Sequence, residues 1–381
     1  HYSRIIWHFG HGNVSLQAVA RHSGHNPHPP HTHKLVNKIL SALVKYGIPI
    51  AISVGLAWFL YNNVDLAAIK SSLRQDVDYR WFAPVVVVST LSHVLRALRW
   101  QLQLRAIDVR PPLSILIDSI FGTYFVNLLF PRLGEVWRSG YIARRQKAPF
   151  AQVLGSMVAD RLSDTLTVLL LTVITFVLAA DKLLIFFGQQ DAAGNNSPSG
   201  TWMLIGSAAI VIAAVAALVA VARSKSQNRV LAKTRAILLQ LWDGLASIWR
   251  MDGKWTFLLL TAGIWTCYYL QLYLAAQAFT FARTLGPLPI LVLFVLSSLG
   301  MAVPSNGGLG PWQFAIIFGF ALYGVGAFPL STPYDPQASA FAWLVWGVQT
   351  LLLIVLGIYA FAHIALDNRR LQPHNNTDTT L

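Results

Sequence analysis

Long apolar runs separated by short charged stretches organise this chain. They cover residues 46–61, 81–94, 113–130, 150–180, 202–221, 255–281, 288–303, 312–322 and 338–364. Several approach or exceed the roughly 18 apolar residues needed to cross a bilayer as a helix. Between 223 and 254 the pattern changes. Val230, Leu231, Ile237, Leu238, Leu241, Leu245 and Ile248 recur at helical spacing among seven basic and two acidic residues. That pattern predicts an amphipathic helix lying at the membrane interface, a surface that could also dock another protein.

The polar stretches between the runs are unequal in charge. Those at 1–45, 96–110, 132–147 and 223–254 are basic, whereas 62–80, 181–200 and 328–338 are near neutral or slightly acidic. Basic loops mark the cytoplasmic side. Run 113–130 then has cytoplasmic charge on both flanks, so it is expected to enter the membrane and return. Runs 288–303 and 312–327 pose the matching problem on the other face. Both anomalies sit on helix breakers: Pro131 and Gly134 in the first, and Pro304, Asn306, Gly307, Gly308, Gly310 and Pro311 in the second. The expected fold is an all-α polytopic membrane protein with about six spans and two re-entrant helical hairpins in an inverted repeat. Both termini are placed in the cytoplasm. The alternative makes 113–130 and 288–303 ordinary spans. Irregular backbone at membrane depth is tolerated only where protein or a water-filled cavity satisfies it, so the two breaks point to one central site. The expected organisation is a tail at 1–39 and a transmembrane domain at 40–365. Its halves lie at about 81–222 and 255–365, joined by the linker 223–254, and a second tail follows at 366–381.

Composition narrows the partners. The chain is 55% hydrophobic and only 12% charged, against about 25% charged in soluble domains. Net charge is +14. In a membrane protein this reads as basic loops near anionic lipid rather than as a nucleic-acid interface. Cys267 is the single cysteine, which excludes an internal disulfide and a cysteine metal cage. Eight of the 11 histidines fall in the first 33 residues, and the sequence does not begin with Met. A metal-binding tract and a disordered tail or leader both fit; the tail is the expected reading. No P-loop, H-E-x-x-H or G-x-S-x-G pattern occurs, so no metal and no cofactor are expected.

The candidate chemistry lies beside the first break. Glu135 is the only glutamate in the chain. Arg132, Glu135 and Arg138 are three apart and stack near one helix face. Asp160, Arg161 and Asp164 form a second cluster. Together they read either as a charged cavity for an anionic group or as structural ion pairs, Glu135–Arg138 closing the hairpin. Arg96 and Arg99 end the second run and read as binding residues or as snorkelling anchors. Asn306, Gln313 and the free amides of the second break could meet polar headgroup atoms.

Asn127-Leu-Leu-Phe-Pro131-Arg132-Leu-Gly134-Glu135-x-x-Arg138, followed by Asp160-Arg161-x-x-Asp164, resembles the membrane domain of lysylphosphatidylglycerol synthases. That domain is the flippase-like half of the multiple peptide resistance factor. Arg96-x-x-Arg99-Trp100 and Pro304-x-x-Gly307-Gly308-x-Gly310 fit the same pattern, over roughly residues 40–365. The resemblance implies translocation of a phospholipid or other anionic lipid-linked molecule across the cytoplasmic membrane, with Asn127 added to the site, membrane lipids as partners, and a homodimer as a plausible assembly. The aminoacyl-transfer domain of the synthases is not in this sequence, so no synthesis of lysyl lipid is expected. Relatives often place an acid where this sequence has Pro311-Trp312-Gln313, which argues against a strongly cationic headgroup. The competing expectation is an intramembrane transferase acting on a lipid carrier, or a scaffold.

Overall fold

A computed structural model describes residues 65–130, 133–180, 253–303, 305, 307–326 and 334–370, with residues 55, 58, 223 and 235. Nearly all of run 46–61, run 202–221, the tail 1–39, residues 371–381, loop 181–200, nearly all of the linker, and Pro131, Arg132, Pro304 and Asn306 lie outside the described residues, while residues 366–370 of the expected second tail are helical. Among the described residues there is no strand, only one isolated bridge between Val77 and Phe279. The protein is an all-α membrane protein.

A short helix α1 (Leu66–Gln75) is capped by Asp65, whose carboxylate accepts from the Ala67 and Ala68 amides. The long α2 (Phe82–Arg105) follows, then α3 (Leu113–Leu129), α4 (Leu133–Gln146) and the long α5 (Phe150–Leu178). The second half repeats the plan. The long α6 (Lys254–Gln277), the single-turn α7 (Thr280–Arg283), α8 (Pro287–Gly300), α9 (Pro311–Leu322) and the long α10 (Pro336–Arg370) follow in order. Four of these helices, α2, α5, α6 and α10, are long and apolar enough to cross a membrane. The others are not. At 1.5 Å per residue, α8 and α9 reach about 21 and 18 Å, against a hydrocarbon core of about 30 Å.

Proline sets most of the starts. Pro112 precedes α3 and Pro149 precedes α5 in extended conformation, while Pro287 and Pro311 occupy the first turn of α8 and α9, where a missing amide costs nothing. Phe130 ends α3 in extended backbone (φ −133, ψ 109), the conformation forced on a residue before proline. In the second break Gly307, Gly308 and Gly310 have φ of 59, 79 and 92, which only glycine adopts cheaply.

The halves contact one another by one plan. Within each, the long first helix meets the first short helix, the two short helices meet each other, and the second short helix meets the long last one. Between halves, α2 packs on α6, α3 on α10, and α8 on α5. The α2–α6 pair is antiparallel along its length. Leu102 lies against Gly253, Arg96 bonds Tyr268, and the Asp78 amide bonds the Ala278 carbonyl at 2.8 Å. The α3–α10 pair is also antiparallel. Asp118 meets His363 at 2.7 Å and Phe125 lies against Gly357. The two breaks come together: Leu128, at the end of α3, packs on Gly307, and the Trp346 indole of α10 holds the Gly307 carbonyl at 2.9 Å.

Candidate functional site

Arg96 and Arg99 are three apart on α2, and Asp160 and Asp164 are four apart on α5, so each pair presents one face to the other. Arg99 reaches Asp160 and Asp164 at 2.7 Å each. Arg96 reaches Asp164 at 2.7 Å and Asp160 at 3.5 Å. From α6, the Tyr268 hydroxyl accepts from Arg96 at 2.9 Å and the Thr261 hydroxyl from Arg99 at 3.3 Å. Both arginines are buried, 3% and 0% exposed. Desolvating four charges is affordable only with this degree of pairing. The reading of Arg96 and Arg99 as snorkelling anchors in a cytoplasmic stretch is therefore corrected. The helix runs on to Arg105, and Arg96 sits about 14 Å along it from that end.

A second tier lies on α3 and α4. Arg161 bridges Glu135 at 3.2 Å and approaches Asp164 at 3.8 Å. The Asn127 amide donates to Glu135 at 3.2 Å, and its carbonyl oxygen accepts from the Gly134 amide at 2.8 Å. Asn127 thus fixes both the turn and the carboxylate. Arg138 does not pair with Glu135 as one sequence reading expected. It is fully buried, its guanidinium centre lies 4.1 Å from the centre of the Trp100 ring, and its three guanidinium nitrogens have no hydrogen-bond partner among the described residues. The reason is packing: Gly134 and Trp137 draw that face of α4 onto α3, leaving Glu135 free to meet α5. Among the described residues, Arg96, Arg99, Arg138 and Arg161 face only Asp160, Asp164 and Glu135, a surplus of one positive charge.

Above these tiers opens a cavity of about 400 Å³ between the two halves. Arg96, Arg161 and Asp164 form its charged wall, with His93, Tyr124 and Tyr268 beside them. Trp265, Phe294, Trp312, Val345, Trp346 and Leu353 make the opposite, apolar and aromatic wall, and Leu128, Met301 and Gly307 bring in both breaks. Asp160, Arg99 and Arg138 stand behind the wall rather than in it. Gly308 and Gly310 shape the loop, and buried Gln313 accepts from the Gly310 amide at 2.8 Å, pinning the start of α9. Sequence reasoning passed over His93, Tyr268, Trp265 and Gln271 because no charge marks them within apolar runs. The available signal was, for His93, its place three residues before Arg96 on α2, and, for Trp265, Tyr268 and Gln271, their shared spacing of three along α6.

Among known proteins, the family described as lysylphosphatidylglycerol synthase TM region matches residues 47–357. A glycosyltransferase of Haloferax volcanii, AglD, is 30% identical over 98 residues, which are 26% of this chain and 16% of that protein. The chain thus aligns with under a fifth of that relative's length. No solved structure matches. The family match spans most of the chain and coincides with the described helices from α1 into α10, including the ion network and the cavity. The chain belongs to the lysylphosphatidylglycerol synthase TM region family.

Proposed function

We propose that this protein is a lipid transporter of the cytoplasmic membrane, moving a phospholipid or other anionic lipid-linked molecule between leaflets. The observation that carries this reading is the two-sided cavity. One wall holds Arg96 and Arg161 backed by a surplus positive charge, and the other is apolar and aromatic, the pairing that a phosphate with an attached chain needs. Arg161 is the accessible phosphate ligand, its side chain 35% exposed. Glu135 restrains its position. The meeting of both breaks at the cavity, and the antiparallel pairing of α2 with α6, support an inverted repeat whose short helices enter and return.

The test is headgroup-labelled lipid movement in proteoliposomes, scored by a membrane-impermeant quencher. Wild-type protein should accelerate exchange of an anionic lipid, and Arg161→Ala and Glu135→Gln should each lower the rate by about tenfold or more, the weight of a lost charge-assisted bond. Absence of exchange across anionic, zwitterionic, aminoacylated and polyprenyl lipids overturns the reading.

The match to a protein named as a glycosyltransferase favours one second reading, an intramembrane transferase acting on a lipid carrier. Mass spectrometry of the lipids after incubation with sugar donors separates the two, because a transporter leaves its cargo chemically unchanged.

A further inference from the structure

The cavity is smaller than a whole lipid. Its roughly 400 Å³ corresponds to about 13 water volumes of about 30 Å³ each, enough for a phosphate headgroup and not for long acyl or polyprenyl chains. A lipid held by Arg161 must therefore lead its chains out through a mouth. Met301, which caps the end of α8, is the most exposed of the residues lining the cavity, at 51%. It stands on the cavity wall and on the outer surface at once. Leu128, another lining residue, is followed directly by Leu129 and Phe130, which are 57% and 51% exposed. Val303, two residues beyond Met301, is 39% exposed. Leu128 packs on Gly307, so these exposed side chains flank two breaks that touch. The mouth lies on that seam. Its rim side chains, Leu129, Phe130, Met301 and Val303, are all apolar, and no Asp, Glu, Lys or Arg occurs at 119–130 or 287–326. Such a rim suits hydrocarbon rather than water. Arg161 lines the same cavity with its side chain 35% exposed, so a charged site within leads to an apolar rim without, the order of groups along a lipid.

We propose that the seam between the two breaks is the lateral portal of the cavity. The lipid's phosphate sits at Arg161, and its chains pass between Leu129 and Phe130 on one lip and Met301 and Val303 on the other into the bilayer. This rests on the lipid-transport reading above and adds where the cargo's chains lie. Acyl and prenyl chains share the chemistry of the rim.

The experiment is photo-crosslinking of the full chain in proteoliposomes, with lipids that carry a diazirine in the chain. The probes are phosphatidylglycerol, a prenyl phosphate and, as the zwitterionic reference, phosphatidylcholine; peptide mass spectrometry reads the sites. Leu170 on α5 and Leu259 on α6, 60% and 73% exposed, report the surrounding bilayer. At residues 129–130 and 301–303, at least one anionic probe should crosslink about tenfold more than phosphatidylcholine, the weight of a charge-assisted bond to the phosphate. Which probe does so identifies the chain. At Leu170 and Leu259 the probes should crosslink equally. Arg161→Ala should abolish the enrichment at the rim and leave crosslinking at Leu170 and Leu259 as it was, which also reports that the variant keeps its place in the bilayer. Lipid exchange is scored in the same proteoliposomes. Exchange without enrichment at the rim, or enrichment that survives Arg161→Ala, overturns the portal and leaves the transport reading standing. Enrichment without exchange supports the portal as a lipid site and overturns transport. Neither enrichment nor exchange overturns both.

Discussion

Arg99 and Asp160 are both fully buried and bonded to each other, so each depends on its partner for solvation. Asp160→Asn should destabilise the protein by about 3–5 kcal/mol, because it strands a buried guanidinium. A joint exchange of Arg99 and Asp160 for Met and Leu should cost much less than the sum of the single exchanges. Thermal unfolding of the four proteins in detergent, as a double-mutant cycle, measures the difference; additive losses would make the pair energetically independent. Arg138 behaves oppositely. It stacks on Trp100 but has no hydrogen-bond partner among the described residues, so its charge is a burden to folding. Arg138→Leu should leave the melting temperature unchanged or raise it, by up to about 1–4 kcal/mol in stability, while weakening binding of anionic lipid. A melting temperature that falls together with lipid binding would make Arg138 a structural residue. These two arginines read alike in the sequence. What separates them is that Arg99 finds carboxylates on another helix and Arg138 finds none among the described residues, which no local spacing records.

At the scale of elements, the prolines and glycines carried most of what was legible. Pro112, Pro149, Pro287, Pro311 and Pro336 sit at or just before helix starts, and the runs at 113–130, 150–180 and 255–281 agree with α3, α5 and α6 to within a few residues. The second run ended too early, at residue 94, because Arg96 and Arg99 interrupt the hydropathy. The helix continues because α5 supplies their counter-charges. Gly134 makes the hairpin testable. A side chain there would strike the Thr123 carbonyl and the Asn127 side chain, whereas Gly155 on α5 has open space around it. Gly134→Ala should cost about 1–3 kcal/mol by overpacking; Gly155→Ala should be neutral or stabilising by up to about 1 kcal/mol. Melting temperatures of both in one detergent check this, and equal effects would mean that α3 and α4 do not close on Gly134. The same hairpin is clasped from outside by α10. That helix is 35 residues long, about 52 Å, far more than a span needs, and its extra turns bring His363 to Asp118 and Asp367 and Asn368 to Arg145.

For the whole molecule, charge asymmetry and helix length both favour the proposed inverted topology. The basic residues following α2 and those ending α4 support the proposal that both ends of the α3–α4 pair lie on one side of the membrane. Neither α8 nor α9 can span about 30 Å alone, which fits a second pair that enters and returns. On the proposed topology, the antiparallel pairing of α2 with α6 would set the second hairpin on the opposite face, and both breaks would reach the cavity from different sides of the membrane. Each half alone would leave Arg96 and Asp164 without the Tyr268 wall and Leu128 without the Gly307 loop, so the site exists only where the halves meet. Single cysteines at the exposed positions Arg110, Lys147 and Thr284, in a chain lacking Cys267, test this arrangement with a membrane-impermeant thiol reagent. Positions 110 and 147 should label from the cytoplasmic side and position 284 from the other. If 110 and 147 label from opposite sides, α3 and α4 together cross the membrane and the two halves are not inverted copies. If all three label from one side, the odd number of spans expected between α5 and α6 is wrong, and the cavity would open to a single leaflet, which transport between leaflets cannot use.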